Sequence, residues 1–283
     1  MTSTPLKSQF LLLSLVLFLL TAYISCFDNE RKNEQANHKK TILSKEAQTT
    51  TKNFKGKHVP VLCYHAIRDI NKNDSANQKT YSVSPASFSS QIKALADNGY
   101  TSITPDELKD FYTKHHPLPE KPILITFDDG RKEQYSIGAR ILERHHFKGV
   151  FFIMTVTLDK KHYMNQSEIK ALSDRGHIIG CHTWDHNKVT EYDKKDWQIQ
   201  LAKPKTLLEN ITHRPVTCFA YPYGVWNFAT ADSVKNYGFT TAFIVFGKAD
   251  STLPLYTLQR IVVKNSGTSK YFLIIIEKSV NDN

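Results

Sequence analysis

Ile123-Leu124-Ile125-Thr126-Phe127-Asp128-Asp129-Gly130 is the stretch that sets the architecture. An apolar run too short for a buried helix stops at two adjacent carboxylates and a glycine. Such a run reads as a buried strand with its polar groups gathered at the C-terminal end. The same pattern recurs on both sides. Val59 to Tyr64 runs into His65, and Val150-Phe151-Phe152-Ile153 is a further apolar run. His177 to Cys181 leads into His182, and Val216 to Ala220 ends at Tyr221-Pro222-Tyr223-Gly224. Thr240 to Val245 and Ile261-Val262-Val263 complete the set. Helix signals fall between these runs. Ser84-Pro85 supplies an N-cap and a first-turn proline, and Thr104-Pro105-Asp106-Glu107 is a capping box. Ile137, Ile141 and Leu142, then Ser167 to Ser173 closed by Gly176, keep helical spacing. Trp197, Leu201, Leu207 and Leu208 predict one long helix or two joined ones, kinked at Pro204. A helix through Val234 ends at Gly238, and Tyr271 to Ile276 is open to helix or strand. Strands that alternate with helices predict an α/β fold with a mainly parallel sheet. In a closed (β/α) barrel the polar groups at the strand ends converge on one rim.

The chain has 283 residues, of which 40% are hydrophobic and 23% charged. That suits one large globular domain behind an N-terminal targeting segment. Lys7, the apolar run Phe10 to Ile24 and Ser25-Cys26 read as a secretory signal over residues 1–26. Ile24-Ser25-Cys26 is similar to a bacterial lipobox, although Tyr23 stands where leucine is usual. Lipidation at Cys26, plain cleavage and an uncleaved anchor all export the rest of the chain. Residues 27–57 read as a flexible polar tether and 58–283 as the folded domain. The formal net charge of +10 suggests an acidic neighbour such as an anionic envelope or a polyanionic glycan, beside the plainer reading of a lysine-rich solvated surface. No zinc knuckle, RNA-binding aromatic motif or long basic stripe is present, so nucleic acid is not expected as a partner. Of the 4 cysteines, Cys63, Cys181 and Cys218 would remain after lipidation of Cys26. The expectation is buried free thiols.

The chemistry lies in Asp128-Asp129 and in His182 and His186, four residues apart. Together they offer one oxygen and two nitrogen ligands for a divalent metal, with a spare carboxylate beside them. That is the inventory of a hydrolytic metal site with a position open to water. Taken singly, the aspartate pair also fits a turn and the histidine pair an exposed polar loop.

Thr126-Phe127-Asp128-Asp129-Gly130, His182-Thr183-Trp184-Asp185-His186 and Tyr221-Pro222-Tyr223-Gly224 occur in that order. The chain thereby resembles the polysaccharide deacetylases of the NodB-homology type, carbohydrate esterase family four, from about Val59 to Val263. Leu62-Cys63-Tyr64-His65 and Leu258-Gln259-Arg260-Ile261 look most like the subgroup that includes bacterial poly-N-acetylglucosamine deacetylases. The resemblance implies a distorted (β/α) barrel in a single domain. It implies Asp128 as general base, Asp129, His182 and His186 as metal ligands, and Tyr223 as a backbone N–H donor to the oxyanion. Zinc suits two histidines and a carboxylate; cobalt, nickel and manganese also fit. The implied reaction is hydrolysis of acetamido groups on an N-acetylated polysaccharide to free amine and acetate. Peptidoglycan or chitin-type oligomers, O-acetyl groups and a non-catalytic glycan-binding role are the alternatives. Two departures stand out. Ala220 occupies the place where many members carry an arginine that orients the base, and the late histidine that serves many members as general acid is absent. His65, at the end of the first strand, is the candidate for acid or substrate contact. Arg260 is a candidate to hold Asp128 or a substrate hydroxyl. Trp184 and Trp226 are candidates for stacking on a sugar or for packing, and Asp185 reads as a supporting or surface group.

Overall fold

A computed structural model describes residues 58–265 and 268–281. The expected signal segment 1–26 and tether 27–57 lie outside the described residues. Among the described residues eleven strands run in chain order: β1 (Val61–Tyr64), β2 (Ala66–Ile67), β3 (Ser82–Val83), β4 (Thr101–Ser102), β5 (Pro122–Phe127), β6 (Val150–Ile153), β7 (Ile178–Cys181), β8 (Cys218–Ala220), β9 (Thr241–Ile244), β10 (Leu258–Gln259) and β11 (Ile261–Val262). The main sheet has the order β10-β9-β8-β7-β6-β5-β1-β11, with β4 added beside β5. Its ladders are parallel, as the alternation of strand and helix requires; Val61 pairs with Leu124 and Tyr64 with Phe127. The two ends of this order, β10 and β11, are separated in sequence only by Arg260. The segment Leu258–Val262 therefore spans from one edge of the sheet to the other and nearly closes it into a (β/α) barrel.

Strand periodicity sorts the core into two layers. Val61, Leu124, Val150, Phe152, Cys218, Ala220, Phe243 and Leu258 pack together in one buried cluster. Their sequence neighbours Leu62, Ile125, Phe127, Phe151, Ile153, Phe219 and Ile244 pack in another, with helix residues such as Phe88, Ile92 and Leu172. The first cluster is the barrel interior and the second lies under the helices. In the outer layer Phe127 stacks on Phe151 with ring centroids 4.7 Å apart. In the inner layer Gly180 has no room for a side chain: a Cβ there would lie 2.4 Å from Phe152 Cδ1 and 2.9 Å from Cys218 Sγ. The three thiols of the described residues, Cys63, Cys181 and Cys218, are free and buried.

The helices start where their caps require. Ser84 accepts from the Ser87 N–H at the head of Pro85–Asp97, and Thr104 with Glu107 forms a reciprocal capping box at the head of Pro105–Lys114. The helix expected to kink at Pro204 takes another form. A wide turn of i→i+5 type over Gln198–Ala202 leads into the α-helix Lys203–Thr212, with Pro204 in its first turn. Proline lacks the N–H that a helix interior needs and crowds the preceding turn; here the wide turn, in which Lys203 N–H donates to the Gln198 carbonyl oxygen, runs directly into the α-helix at that point. The open case at Tyr271 to Ile276 is helical, within Ser269–Asn281.

Candidate active site

The C-terminal strand ends deliver the polar groups to one rim. β1 presents Cys63 and His65, β5 presents Asp128 and Asp129, β7 presents His182, and the turn after β8 presents Tyr223. His65, Asp128, Asp129, His182, His186 and Tyr223 line a single cleft of about 410 Å³. Four non-glycine residues of this rim hold left-handed backbone: Asp129 (φ 77°), Thr183 (φ 64°), His186 (φ 68°) and Tyr223 (φ 58°). Each such residue costs on the order of 1–3 kcal/mol, and such strain concentrates where function needs it. Thr183 is β-branched and the least suited of the four. Its Oγ1 accepts the His186 N–H at 3.0 Å, which fixes the turn between the two histidines.

Asp128 is 2% exposed and Arg260 3% exposed. Arg260 Nη1 donates to Oδ1 at 2.6 Å and Nη2 to Oδ2 at 2.8 Å, a two-pronged ion pair inside the barrel. The guanidinium also lies over the Phe152 ring, 5.5 Å from its centre. Cys63 Sγ sits 3.6 Å from Asp128 Oδ2, and Gln134 Nε2 donates to the Asp128 carbonyl oxygen at 2.5 Å. Burial pushes the Asp128 carboxyl upward, but the Arg260 charge, then His182 and His65, outweigh it and hold it well below the usual carboxylate range. Asp128 is therefore a bare, oriented carboxylate. The contact absent at Ala220 is made from another strand end: Arg260 grips Asp128 rather than standing free for a substrate hydroxyl. Ala220 has a different task, since its carbonyl oxygen lies 2.8 Å from His182 Nδ1.

That bond fixes the His182 tautomer. With Nδ1–H donating to Ala220, Nε2 is the nitrogen left to meet a ligand; it is buried and has no hydrogen-bond partner. It lies 3.9 Å from Asp129 Oδ1, and His186 Nε2 lies 3.9 Å from the same oxygen. One donor atom from each of Asp129, His182 and His186 falls within 4.8 Å of the others. Burial above all lowers the His186 pKa to about 4, so its ring is neutral as a ligand must be. A buried ring nitrogen without a partner, a neutral imidazole at His186 and a carboxylate together fit a divalent cation. His182 Nε2 is also 3.9 Å from Asp128 Oδ2. Asp128, however, has both oxygens engaged by Arg260, which leaves Asp129 the freer donor.

His65 Nε2 lies 3.8 Å from Asp128 Oδ2 and its ring packs on Tyr81 with centroids 4.7 Å apart. Burial lowers its pKa against the pull of Asp128 and Asp129. Tyr223 is 53% exposed, with its ring 4.6 Å edge-on from His186. The next residue, Gly224 (φ +67°), passes so near β9 that a Cβ would lie 2.5 Å from the Val245 backbone nitrogen. Trp184 is 41% exposed, while Trp226 packs edge-on against Phe228. Asp185 accepts from Asn187 N–H and side-chain amide, and takes no part in the ligand cluster. Sequence reasoning missed Gln134, a buried amide whose Nε2 also donates to the His65 carbonyl oxygen at 2.8 Å. Its only signal was a polar residue on an apolar helix face.

Residues 115–242 match the polysaccharide deacetylase family. YxkH of Bacillus subtilis (strain 168), assigned to the polysaccharide deacetylases, is 29% identical over 281 residues, 94% of this chain and 98% of that protein. The poly-beta-1,6-N-acetyl-D-glucosamine N-deacetylase of Staphylococcus aureus (strain MRSA252) is 25% identical over 222 residues, 69% of this chain and 75% of that protein. Among solved structures, BC0361, a polysaccharide deacetylase from Bacillus cereus, superposes with a TM-score of 0.67 at 29% identity, covering 78% of this chain and 69% of that one.

Proposed function

We propose, for a chain that belongs to the polysaccharide deacetylase family, an exported, metal-dependent N-deacetylase of an N-acetylglucosamine-containing polysaccharide. The observation that carries this reading is the pairing of two different carboxylate environments on one rim. Asp128 is clamped by Arg260, and Asp129 faces two imidazoles, one with an unpartnered buried nitrogen. Asp129, His182 and His186 would hold the ion, and zinc suits the donor set best. Bound there, a divalent ion supplies Lewis-acid polarisation and lowers the pKa of water. Asp128 takes the proton from the attacking water as its oxygen bonds to the acetamido carbonyl carbon. The Tyr223 backbone N–H donates to the oxygen that becomes negative; one such donor is worth about 10²–10³ in rate. Collapse then breaks the carbon–nitrogen bond, and the leaving nitrogen needs a proton. His65, neutral at rest, receives the proton from Asp128 and passes it on. The products are acetate and a free amine on the glycan.

The glycan class rests on the similarity to the staphylococcal enzyme. Export rests on the segment 1–26, with Cys26 as the lipid attachment site that would tether the domain to a membrane. The test is acetate release from defined N-acetylglucosamine polymers after metal reconstitution, with and without chelator. Release that chelator abolishes and added metal restores is expected. Chelator-insensitive release refutes the metal role, and glycan binding without acetate release refutes the enzyme.

A further inference from the structure

Directly after the Asp128-Asp129-Gly130 turn the chain becomes basic, at Arg131 and Lys132. Arg131 lines the cleft, with Nε 3.5 Å from Asp129 Oδ2. That Nε is buried and makes no hydrogen bond, and the guanidinium lies over the Tyr163 ring, 5.8 Å from its centre. A cation beside a carboxylate that faces two imidazoles weakens the hold on a divalent ion. Arg131 is paired with Asp129 here, and with a cation on Asp129 a second anion at the guanidinium would offset the repulsion.

The wall continues beyond it. Arg131 pairs with Tyr163 in a short antiparallel bridge, and Lys132 N–H donates to the His162 carbonyl oxygen at 3.0 Å. A second pocket, of about 510 Å³, adjoins this bridge and is lined by Lys132, Lys160, Lys161, His162, Tyr163 and Asn165. Two carboxylates also line it, Glu133 and Asp159. Asp159 is turned onto the Gln166 side-chain amide at 3.1 Å, and Lys132 is paired with Glu168 at 3.3 Å. Among the described residues no carboxylate pairs with Lys160 or Lys161, both of which are exposed. Their loop is a built turn: Asp159 (φ 63°) and His162 (φ 72°) are left-handed, and Tyr163 N–H donates to the Lys160 carbonyl oxygen at 3.0 Å.

We propose that this strip is an anion subsite, in which Arg131, Lys160 and Lys161 seat a carboxylate or phosphate on a sugar neighbouring the one deacetylated. The proposal rests on the N-deacetylase reading and narrows its substrate to an acidic N-acetylated glycan. Arg131 is then a specificity-determining residue, and the lysines extend its field along the groove.

The test compares kcat/KM for acetate release by the metal-reconstituted protein from three oligomers of equal length. One alternates N-acetylglucosamine with a uronic acid, one is linked through phosphodiesters, and one is neutral. An acidic oligomer should be preferred about tenfold in about 50 mM salt, and the preference should shrink in about 300 mM salt. Which acidic oligomer is preferred tells carboxylate from phosphate. Arg131→Gln, and separately the Lys160→Glu, Lys161→Glu double variant, should each lower the acidic-to-neutral ratio about three- to tenfold. Equal rates on acidic and neutral oligomers, or a ratio untouched by the lysine reversal, overturn the proposal. If no oligomer releases acetate, the deacetylase reading fails separately. Calorimetric binding of the same three oligomers then decides the subsite, sustained by acid-selective binding that the lysine reversal weakens and overturned by its absence.

Discussion

Replacing Arg260 with methionine tests what holds the centre of the barrel. The substitution keeps a long unbranched side chain and removes only the fork that binds Asp128 at 2.6 and 2.8 Å. Asp128, 2% exposed, then keeps its charge with no full countercharge. Breaking a buried pair by deleting one partner costs about 3–5 kcal/mol. The loss should fall near about 3, because the Cys63 thiol and the His65 and His182 rings remain within 3.6–3.9 Å of Asp128. The guanidinium's contact with Phe152 adds about 0.5–1 kcal/mol. Urea unfolding of chelator-treated protein measures the change without overlying metal linkage. Adding Asp128→Asn to Arg260→Met removes the stranded charge, so the double variant should lose about 1–3 kcal/mol less than the sum of the single changes. The pH dependence has a definite sign. The folded Asp128 carboxyl titrates well below its unfolded value of about 3.9. Its stabilisation is complete above about pH 5 and drains away as pH falls through the folded value. Wild type and variant should therefore differ most near neutrality and converge in acid. Equal midpoints at pH 7, or a gap that widens in acid, would refute the reasoning.

Four further outcomes can be checked. His182→Ala should lose most bound metal by elemental analysis while the circular dichroism stays native; Asp129→Asn should also bind less, whereas Asp128→Asn should keep its metal and lose turnover. His65→Ala should lower kcat by about 10²–10⁴ with metal content intact, and an unchanged rate would return His65 to a packing role. Gly180→Ala forces a methyl to 2.4 Å from Phe152 and should cost about 1–3 kcal/mol in urea unfolding; an unmoved midpoint would show that the interior yields there. Mass spectrometry of the mature N-terminus should find a lipidated Cys26, and an unmodified chain starting at Met1 would remove the export proposal.

The fold was legible because strand periodicity and helix caps are local signals. Val150–Ile153, the N-cap at Ser84 and the capping box at Thr104 needed no tertiary knowledge. The placement of Asp128, Asp129, His182 and His186 in one cleft was legible because each follows a parallel strand, and parallel strands end on one side. Arg260 could be suspected but not assigned. Its reach to Asp128 depends on how Leu258–Val262 spans the two sheet edges, a long-range fact with no local pattern. Gln134 was hidden for the same reason, since its partners are carbonyl oxygens of residues brought near only by folding. Pro204 was read correctly as a disturbance, but sequence alone did not say that the wide turn would fall before it.

The closing segment also imposes an order in time. A chain emerging from its N-terminus, whether from a ribosome or through a membrane, offers both aspartates and both histidines long before Leu258–Val262 arrives. Until then the sheet has two open edges, and Asp128 lacks the guanidinium that orients it. The ion pair at Asp128 is therefore completed only when the last of the described strands arrive. A nascent molecule that stops before Leu258 would hold the Asp128 carboxylate without its countercharge, so the last strands both close the sheet and neutralise its centre.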